Sequence, residues 1–279
     1  MSTDELRRRS LENWQTMAAG WERRRAEIDR ITAPVREWLA AELAAQAGDT
    51  VLELAAGPGD TGFSVAPLLG EDGLLISTDF SPAMVEVARR RSAELGLSNV
   101  EHRVENAERL DLGDGSVDGA ICRFGYMLMV DPGASLAETR RVLRPGGRLV
   151  LAVWRGPERN PWVSIAGRIL VERGLAPPPE PGAPSMFTMA DEGHTRSLLE
   201  GAGFGEATFA DVHVVFGARD VDDYVQSAMD TGGMFATAFG GASAEDQEAM
   251  KADFAEAFAP FATADGYELP GVALCAVAR

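Results

Sequence analysis

The 279-residue chain has only two cysteines, Cys122 and Cys275, and three histidines, His102, His194 and His213. Two distant thiols cannot build a disulfide framework or a zinc knuckle, and no histidine pair has metal-ligand spacing, so no metal site is expected. Both cysteines lie in apolar, strand-like runs, where core packing is the expected role. Basic residues are scarce: 26 Lys and Arg stand against 43 Asp and Glu, a formal charge of -17. Such a chain repels a phosphate backbone, which argues against a nucleic-acid partner. The basic runs Arg7 to Arg9 and Arg23 to Arg25 read as solvated helix faces. No apolar run is long enough to span a bilayer, and the first residues, MSTDELRRRSLENW, lack the apolar stretch of a secretory signal. The expected location is therefore the cytoplasm, with no membrane partner.

What is present is an ordinary globular composition, 46% hydrophobic and 25% charged, in a chain long enough for one large α/β domain with insertions. Residues 4 to 46 read as helix, with Trp14, Met17, Trp21, Ile28, Ile31, Val35 and Leu39 at helical spacing and Pro34 marking a break. From Thr50 onward, short apolar runs alternate with amphipathic stretches. The strand candidates are VLELAA, LLIST, VEHRV, VDGAICRF and RLVLAVW; SPAMVEVARRRSAEL and DPGASLAETRRVL are helices. Ser81 with Pro82, and Asp131 with Pro132, give each of these helices an N-cap followed by proline at its first position. Gly96 ends the first, and the Pro145, Gly146, Gly147 turn ends the second.

Further along, APPPEPGAP at 176 to 184 reads as an irregular connection, 190 to 201 as a helix, 207 to 216 as a strand and 218 to 263 as helical. GVALCAVAR is the last strand. Strand and helix alternation predicts a Rossmann-like, mostly parallel seven-stranded sheet with helices on both faces. The expected division is an N-terminal helical lid, 1–46, and a main domain, 47–279, with lid insertions at about 155–190 and 217–268.

The functional signal lies in VLELAAGPGDTG, where Gly57, Gly59 and Gly62 take G-x-G-x-x-G spacing after a strand and before a helix. The backbone must turn tightly there and let a ligand approach it. Alone, this pattern suits a nicotinamide or flavin dinucleotide as well as any other adenosine-containing cofactor. Asp79, at the end of the next strand, would hold ribose hydroxyls in either case.

Four neighbouring features make the chain resemble the class I S-adenosylmethionine-dependent methyltransferases, over roughly residues 10 to 155 and again in the last strands. They are Glu53 inside an apolar strand, TDFSPAMVEVA after the second strand, NAE at 106 to 108, and RRVLRPGGRLVLAVW. The resemblance implies S-adenosylmethionine as cofactor, S-adenosylhomocysteine as product, and a role for Glu53 in organising the cofactor's methionine end. It further implies Asp79 on the ribose, Phe80 and Met84 beside the adenine, and Asn106, Ala107 and Glu108 at the adenine edge. It also implies cofactor contact at Ala55, Gly57 and Gly59; Ala55 stands where many members have glycine, and Asn106 where aspartate is usual. Trp21, in MAAGW, matches an aromatic that closes over the methionine moiety; helix packing is its alternative.

Arg123 and Tyr126 follow the fourth strand, at the edge where ligands bind in open α/β sheets, so both are candidates for touching cofactor or acceptor. His194 is a further candidate for facing the acceptor. Trp162, Met186, Phe187, Met229, Met234, Phe235, Phe239, Phe258 and Phe261 suggest either an apolar acceptor chamber or simple lid packing. The style is similar to that of the ubiquinone and menaquinone biosynthesis methyltransferases. This implies in-line SN2 methyl transfer to a small, apolar or aromatic acceptor, with no catalytic base identified. A nicotinamide-dependent Rossmann oxidoreductase and a non-catalytic S-adenosylmethionine-binding regulator are the rivals. The oligomeric state stays open, a homodimer being one option.

Overall fold

A computed structural model describes residues 2–178 and 185–279. Most of the proline-rich connection expected at 176 to 184 lies outside the described residues. The first helix, α1 (Thr3–Leu43), opens with a capping box: Ser2 Oγ accepts the Glu5 N–H, and the Ser2 N–H donates to the Glu5 carboxylate at 2.7 Å. It closes on Ala44 in a left-handed conformation. Its 41 residues give it a length of about 60 Å at 1.5 Å per residue. Pro34 does not break it, contrary to the sequence expectation. Burial of Ile31, Thr32, Val35 and Leu39 on either side holds the helix together through the position where proline cannot donate to Arg30.

The alternating middle of the chain forms β1 (Thr50–Glu53), α2 (Asp60–Val65), β2 (Leu74–Asp79), α3 (Pro82–Glu94), β3 (Val100–Val104), β4 (Val117–Arg123), α4 (Pro132–Val142) and β5 (Leu143–Trp154). The remainder adds α5 (Pro161–Glu172), α6 (Glu192–Gly201), β6 (Ala207–Ala218), α7 (Val221–Thr231), α8 (Gly233–Gly240), α9 (Ala244–Phe258), β7 (Ala262–Thr263) and β8 (Gly266–Ala278). Side chains of Ser81 and Asp131 cap α3 and α4 as expected. The Pro145–Gly147 stretch is not a turn ahead of the fifth strand. It is a bulge within β5, where pairing with β4 jumps from Val117↔Leu143 to Gly119↔Arg148. A Cβ on Gly147 would lie 2.8 Å from the Asp118 carbonyl oxygen, so the bulge needs glycine to lie against β4.

The strands run in the order β3-β2-β1-β4-β5-β8-β6, with the two-residue β7 pairing off β8. Pairs from β3 through β5 are parallel, and β8 is antiparallel to both β5 and β6. The Rossmann-like, mostly parallel sheet is thus as expected. Chain order reverses between β1 and β4, which opens a crevice beyond their carboxyl ends.

The second half of α1 is built into the main core through Ile31, Val35, Leu39 and Leu43. Its first half packs on α7 at Gly20 and reaches α3 through the Glu22–Arg90 pair. A second core joins α5, α7, α8, α9 and β8 through Ile169, Leu170, Val225, Phe235, Phe239, Met250, Phe254, Phe258 and Leu269. Among the described residues, no helix is long and apolar enough to cross a membrane.

Helices α1 and α7 meet at Gly20, where a Cβ would lie 1.9 Å from the Asp230 carbonyl oxygen. Gly20→Ala should therefore push the two helices apart and destabilise the protein by about 1–3 kcal/mol in denaturant unfolding. Gly167→Ala in α5 faces open space and should be neutral or stabilising. Equal or higher stability for Gly20→Ala would refute the close crossing.

Candidate active site

Two carboxylates at the ends of adjacent parallel strands shape the Gly-rich turn. Glu53 closes β1 and is 2% exposed. Its Oε1 accepts the Gly62 N–H at 2.6 Å, and its Oε2 accepts the Ser77 hydroxyl at 3.0 Å. Asp79 closes β2; its Oδ2 accepts the Gly57 N–H at 2.9 Å and its Oδ1 the Ser81 N–H at 2.9 Å. Burial pushes both carboxyls above their ordinary range, Glu53 to about 8, against the pull of these N–H donors.

The three glycines answer three different demands. Gly57 has φ 54°, and a Cβ placed there would meet nothing within 4 Å, which leaves room for a ligand to reach the backbone. Gly59 has φ 88°, and a Cβ there would strike the Phe63 ring at 2.3 Å. At Gly62 a Cβ would lie 2.3 Å from Glu53 Oε2, so only glycine lets α2 seat on the strand ends.

Two residues other than glycine carry left-handed backbone here, Ala55 (φ 51°) and Phe124 (φ 61°). They follow β1 and β4, the strands flanking the crevice, and a Cβ on Gly125 would lie 2.6 Å from Ala55 Cβ. The strain, roughly 1–2 kcal/mol per residue, sits where the chain reverses beside the site. Ala55 stands where the resemblance put glycine, and its positive φ is the physical reason for that preference. The Phe124 ring stacks on Trp154 at 4.0 Å and 10°; Trp162 stacks on Phe216 at 3.8 Å, and the two Trp rings meet at 5.2 Å. Sequence reading missed Phe124, although CRFGYM put it directly after β4.

The first half of α1 passes across this edge. Arg25 pairs with Asp60 at 3.0 Å, Glu22 with Arg90 at 2.9 Å, and Arg7 with Glu108 at 2.5 Å. Asp60, the first residue of α2, is a second group the sequence reading passed over, though it directly follows the glycine motif. Trp21 donates its indole N–H to the Thr231 carbonyl at 3.2 Å, which joins it to α7. Asn106 Oδ1 accepts the Glu108 N–H at 3.0 Å and shapes the 106–109 turn, Ala107 packs half-buried against the core, and Phe80 is half-buried. Glu108 is committed to Arg7 and to the Asp131 N–H.

Several expected site residues lie elsewhere. Tyr126 is 0% exposed and its hydroxyl is bonded to Thr139 Oγ1 at 2.6 Å, so it faces α4 and not the crevice. Met84, in the first turn of α3, is 1% exposed and faces the interior. His194 is exposed on the first turn of α6, and none of its hydrogen bonds leads to the crevice. His102 bonds Ser92 from within β3, and His213 sits in β6. Phe235, Phe239 and Phe258 belong to the second core, with Trp162, Met229 and Phe261 packed on it; Met186 and Phe187 pack on the main core, and Met234 is exposed. Core packing thus accounts for most of these side chains. Burial pushes both cysteine thiols up to about 12, in keeping with core packing. Two surface clefts, of about 330 and 310 Å³, lie around Phe204 and Arg155, away from the Gly-rich turn.

A sequence profile described as the ubiE/COQ5 methyltransferase family matches residues 33–161. The chain is 37% identical over 122 residues to a ubiquinone/menaquinone biosynthesis C-methyltransferase UbiE of Hahella chejuensis, covering 43% of this chain and 49% of that one. It is 35% identical over 170 residues to a demethylmenaquinone methyltransferase of Beutenbergia cavernae, covering 60% and 62%. The chain therefore spans about half the length of the curated relatives it matches. Among solved structures, a putative methyltransferase from Bacillus halodurans superposes with TM-score 0.59 at 20% identity, over 88% of this chain and 97% of that one, which establishes a shared fold.

Glu53 gives the site a pH signature. Its folded-state pKa, near 8, lies above the ordinary value of 4.5, so the folded protein binds the extra proton between those limits. Stability from the neutral acid is complete below about pH 4.5 and is lost as pH rises through 8. Glu53→Gln should remove this decline while keeping an acceptor for Gly62. Denaturant unfolding from pH 5 to 9 reads it, and an identical slope in wild type and variant would contradict the assignment.

Proposed function

We propose, from the premise that residues 33–161 form a class I S-adenosylmethionine-dependent methyltransferase module, that the chain moves a methyl group to a small, apolar or aromatic acceptor by in-line displacement. The observation that carries this reading is the pair of strand-end carboxylates holding the Gly57 and Gly62 N–H groups, with open space over Gly57. The residues fit the cofactor. Gly57 leaves room for a close approach, and Asp79 keeps lone pairs beyond its two backbone bonds for ribose hydroxyls. In this reading the Phe80 ring and the Asn106–Ala107 turn flank the nucleoside base.

S-adenosylmethionine supplies a methyl group on a cationic sulfonium, already activated for transfer. The protein's work is then to orient the acceptor and exclude water. For orientation, the half-buried Phe124 ring, backed by Trp154, offers a flat apolar surface beside the crevice. Such a surface suits a planar ring, and the quinone-biosynthesis names of the relatives point the same way. The first half of α1, with α5 and α7 to α9, forms the lid. Its clasp on the sheet edge consists of ion pairs in which the arginines keep solvent contact while Glu108 and Asp60 are largely covered, so salt screens it only in part. The cytoplasm is the proposed location.

S-adenosylhomocysteine should raise the melting temperature of the purified protein, and NAD should leave it unchanged. Asp79→Ala should weaken S-adenosylhomocysteine binding by about 1.5–3 kcal/mol in calorimetry. Methyl transfer is read with labelled S-adenosylmethionine over a panel of phenols, quinols and aliphatic amines, with aromatic acceptors expected to be preferred. Stabilisation by NAD instead would favour the oxidoreductase. Binding of S-adenosylhomocysteine without transfer to any acceptor would favour a regulatory role.

A further inference from the structure

The sheet ends on β3 at one side and on β6 at the other. On β6 the one carboxylate, Asp211, is already held by Arg155 and Arg159. On β3 the sequence Val100, Glu101, His102, Arg103, Val104 is symmetric about His102, with an acid on one side and a base on the other. Two bonds to β2 fix how its backbone is turned: the Leu75 N–H donates to the Asn99 carbonyl at 2.9 Å, and the Glu105 N–H to the Asp79 carbonyl at 3.0 Å. Backbone groups alternate along a strand, so those of Glu101 and Arg103 also face β2, while those of Val100, His102 and Val104 face outward. Among the described residues, no other strand pairs with this outer row, and neither proline nor a bulge blunts it.

The side chains are sorted by face as well. His102 bonds Ser92 Oγ of α3 at 2.8 Å, so Val100, His102 and Val104 lie on the α3 face. Glu101 and Arg103 share the other face, where they pair at 2.8 Å and stay partly exposed. Laid antiparallel against a second β3 and centred on His102, the strand sets Val100 opposite Val104 and Glu101 opposite Arg103. The outward backbone groups then fall in the hydrogen-bonded pairs, and the charged residues in the closer, non-hydrogen-bonded pairs. A shift of two residues either way opposes Glu101 to Glu101 or Arg103 to Arg103, and like charges directly opposite are destabilising. One register therefore satisfies both backbone and charge.

The surroundings suit a self-contact. Of the five large apolar side chains exposed among the described residues, Val104 is on this strand, Leu95 ends α3 just before it, and Leu68 is in the Ala66–Leu69 turn. That turn is tied to the foot of β3 by the Asn99 side chain, which donates to the Ala66 and Gly70 carbonyls. On the α3 flank Glu86 and Arg89 pair at 2.7 Å. In a chain of net charge -17, which repels its own copies elsewhere, these four charged residues of strand and flank balance.

We propose that β3 is the docking edge for a second copy of this chain, the two strands pairing antiparallel across a two-fold axis at His102 so that the two sheets become one. The contact is isologous and closes on itself, because it uses both β3 edges. It brings Val104 of each copy to the Val100 and Leu95 end of the other. Since the paired strands run in opposite directions, the crevices beyond their carboxyl ends open at opposite ends of the dimer. A single strand pair is a small interface, so association is reversible and depends on concentration. The inference stands apart from the methyltransferase reading.

Sedimentation velocity of the full chain over a concentration series tests it. Wild type should pass from the mass of one chain to that of two. Glu101→Arg alone, and Arg103→Glu alone, oppose like charges and should each weaken association at least about tenfold. Mixing these two variants should restore association, since each then meets the opposite charge on the other, and the double variant Glu101→Arg with Arg103→Glu should associate with itself. Recovery on mixing also shows that both single variants are folded. A single-chain mass for wild type at every concentration overturns the proposal. So does a dimer that both single reversals leave intact, which puts the interface elsewhere, and so does failure of both the mixture and the double variant to restore association.

Discussion

The whole site hangs on two buried carboxylates that hold backbone N–H groups of one glycine-rich turn. Parallel strands β1 and β2 end side by side, and each ends on an acid aimed at the segment that follows β1. Burying a carboxylate is costly unless donors meet it, and here the donors are the Gly62 N–H in the first turn of α2, otherwise orphaned, and the Gly57 N–H of the turn before it. The exchange fixes the turn before any ligand arrives. It also explains why Gly62 tolerates no side chain and why Ala55 accepts a left-handed backbone: both follow from seating α2 directly on the strand ends. A ligand entering over Gly57 meets a surface already ordered, which limits the entropy lost on binding.

Against this rigid floor, the cover is of a different physical kind. Helix α1 is anchored in the main core from Ile31 to Leu43, while its first half is held by ion pairs to α2, α3 and the 106–108 turn, and by Asp230 of α7 to Arg23 and Arg24. Apolar burial fixes the one half; partly covered charge pairs, with buried Ala18 and the close crossing at Gly20, hold the other. The aromatic series Phe124, Trp154, Trp162 and Phe216 runs from the crevice toward the second core, so the two are joined by one set of rings.

Much of this was legible in the residues. The alternation of apolar runs with capped helices set strand number and direction, because Ser81-Pro82 and Asp131-Pro132 left little freedom in where helices begin. Gly57, Gly59 and Gly62 announced the turn, while Glu53 and Asp79 read as cofactor contacts and only the fold shows that they anchor it. Other features were not legible, each for a tertiary reason. Pro34 reads as a break, yet burial around it carries α1 through. Tyr126 stands three residues after Arg123, the last of β4, but a short helical turn at 126–128 sends it behind the sheet to Thr139. Composition alone cannot separate aromatics lining a chamber from aromatics packed in a lid, and Phe235, Phe239 and Phe258 turned out to be packed. Arg123 itself bonds Thr32 of α1, while the acids around it, Asp29, Asp60 and Glu53, keep other partners, and only the folded chain reveals this.

The central claim, that strand-end carboxylates preorganise the glycine turn for the cofactor, is tested most directly by residue-resolved amide hydrogen exchange at Gly57, Gly62 and Ser81. All three amides should exchange slowly in the unliganded protein, because each is bonded to a buried carboxylate. Adding S-adenosylhomocysteine should slow Gly57 and Ser81 further. Exchange at free-loop rates for Gly57 and Gly62, with ligand protection confined to other segments, would contradict the account.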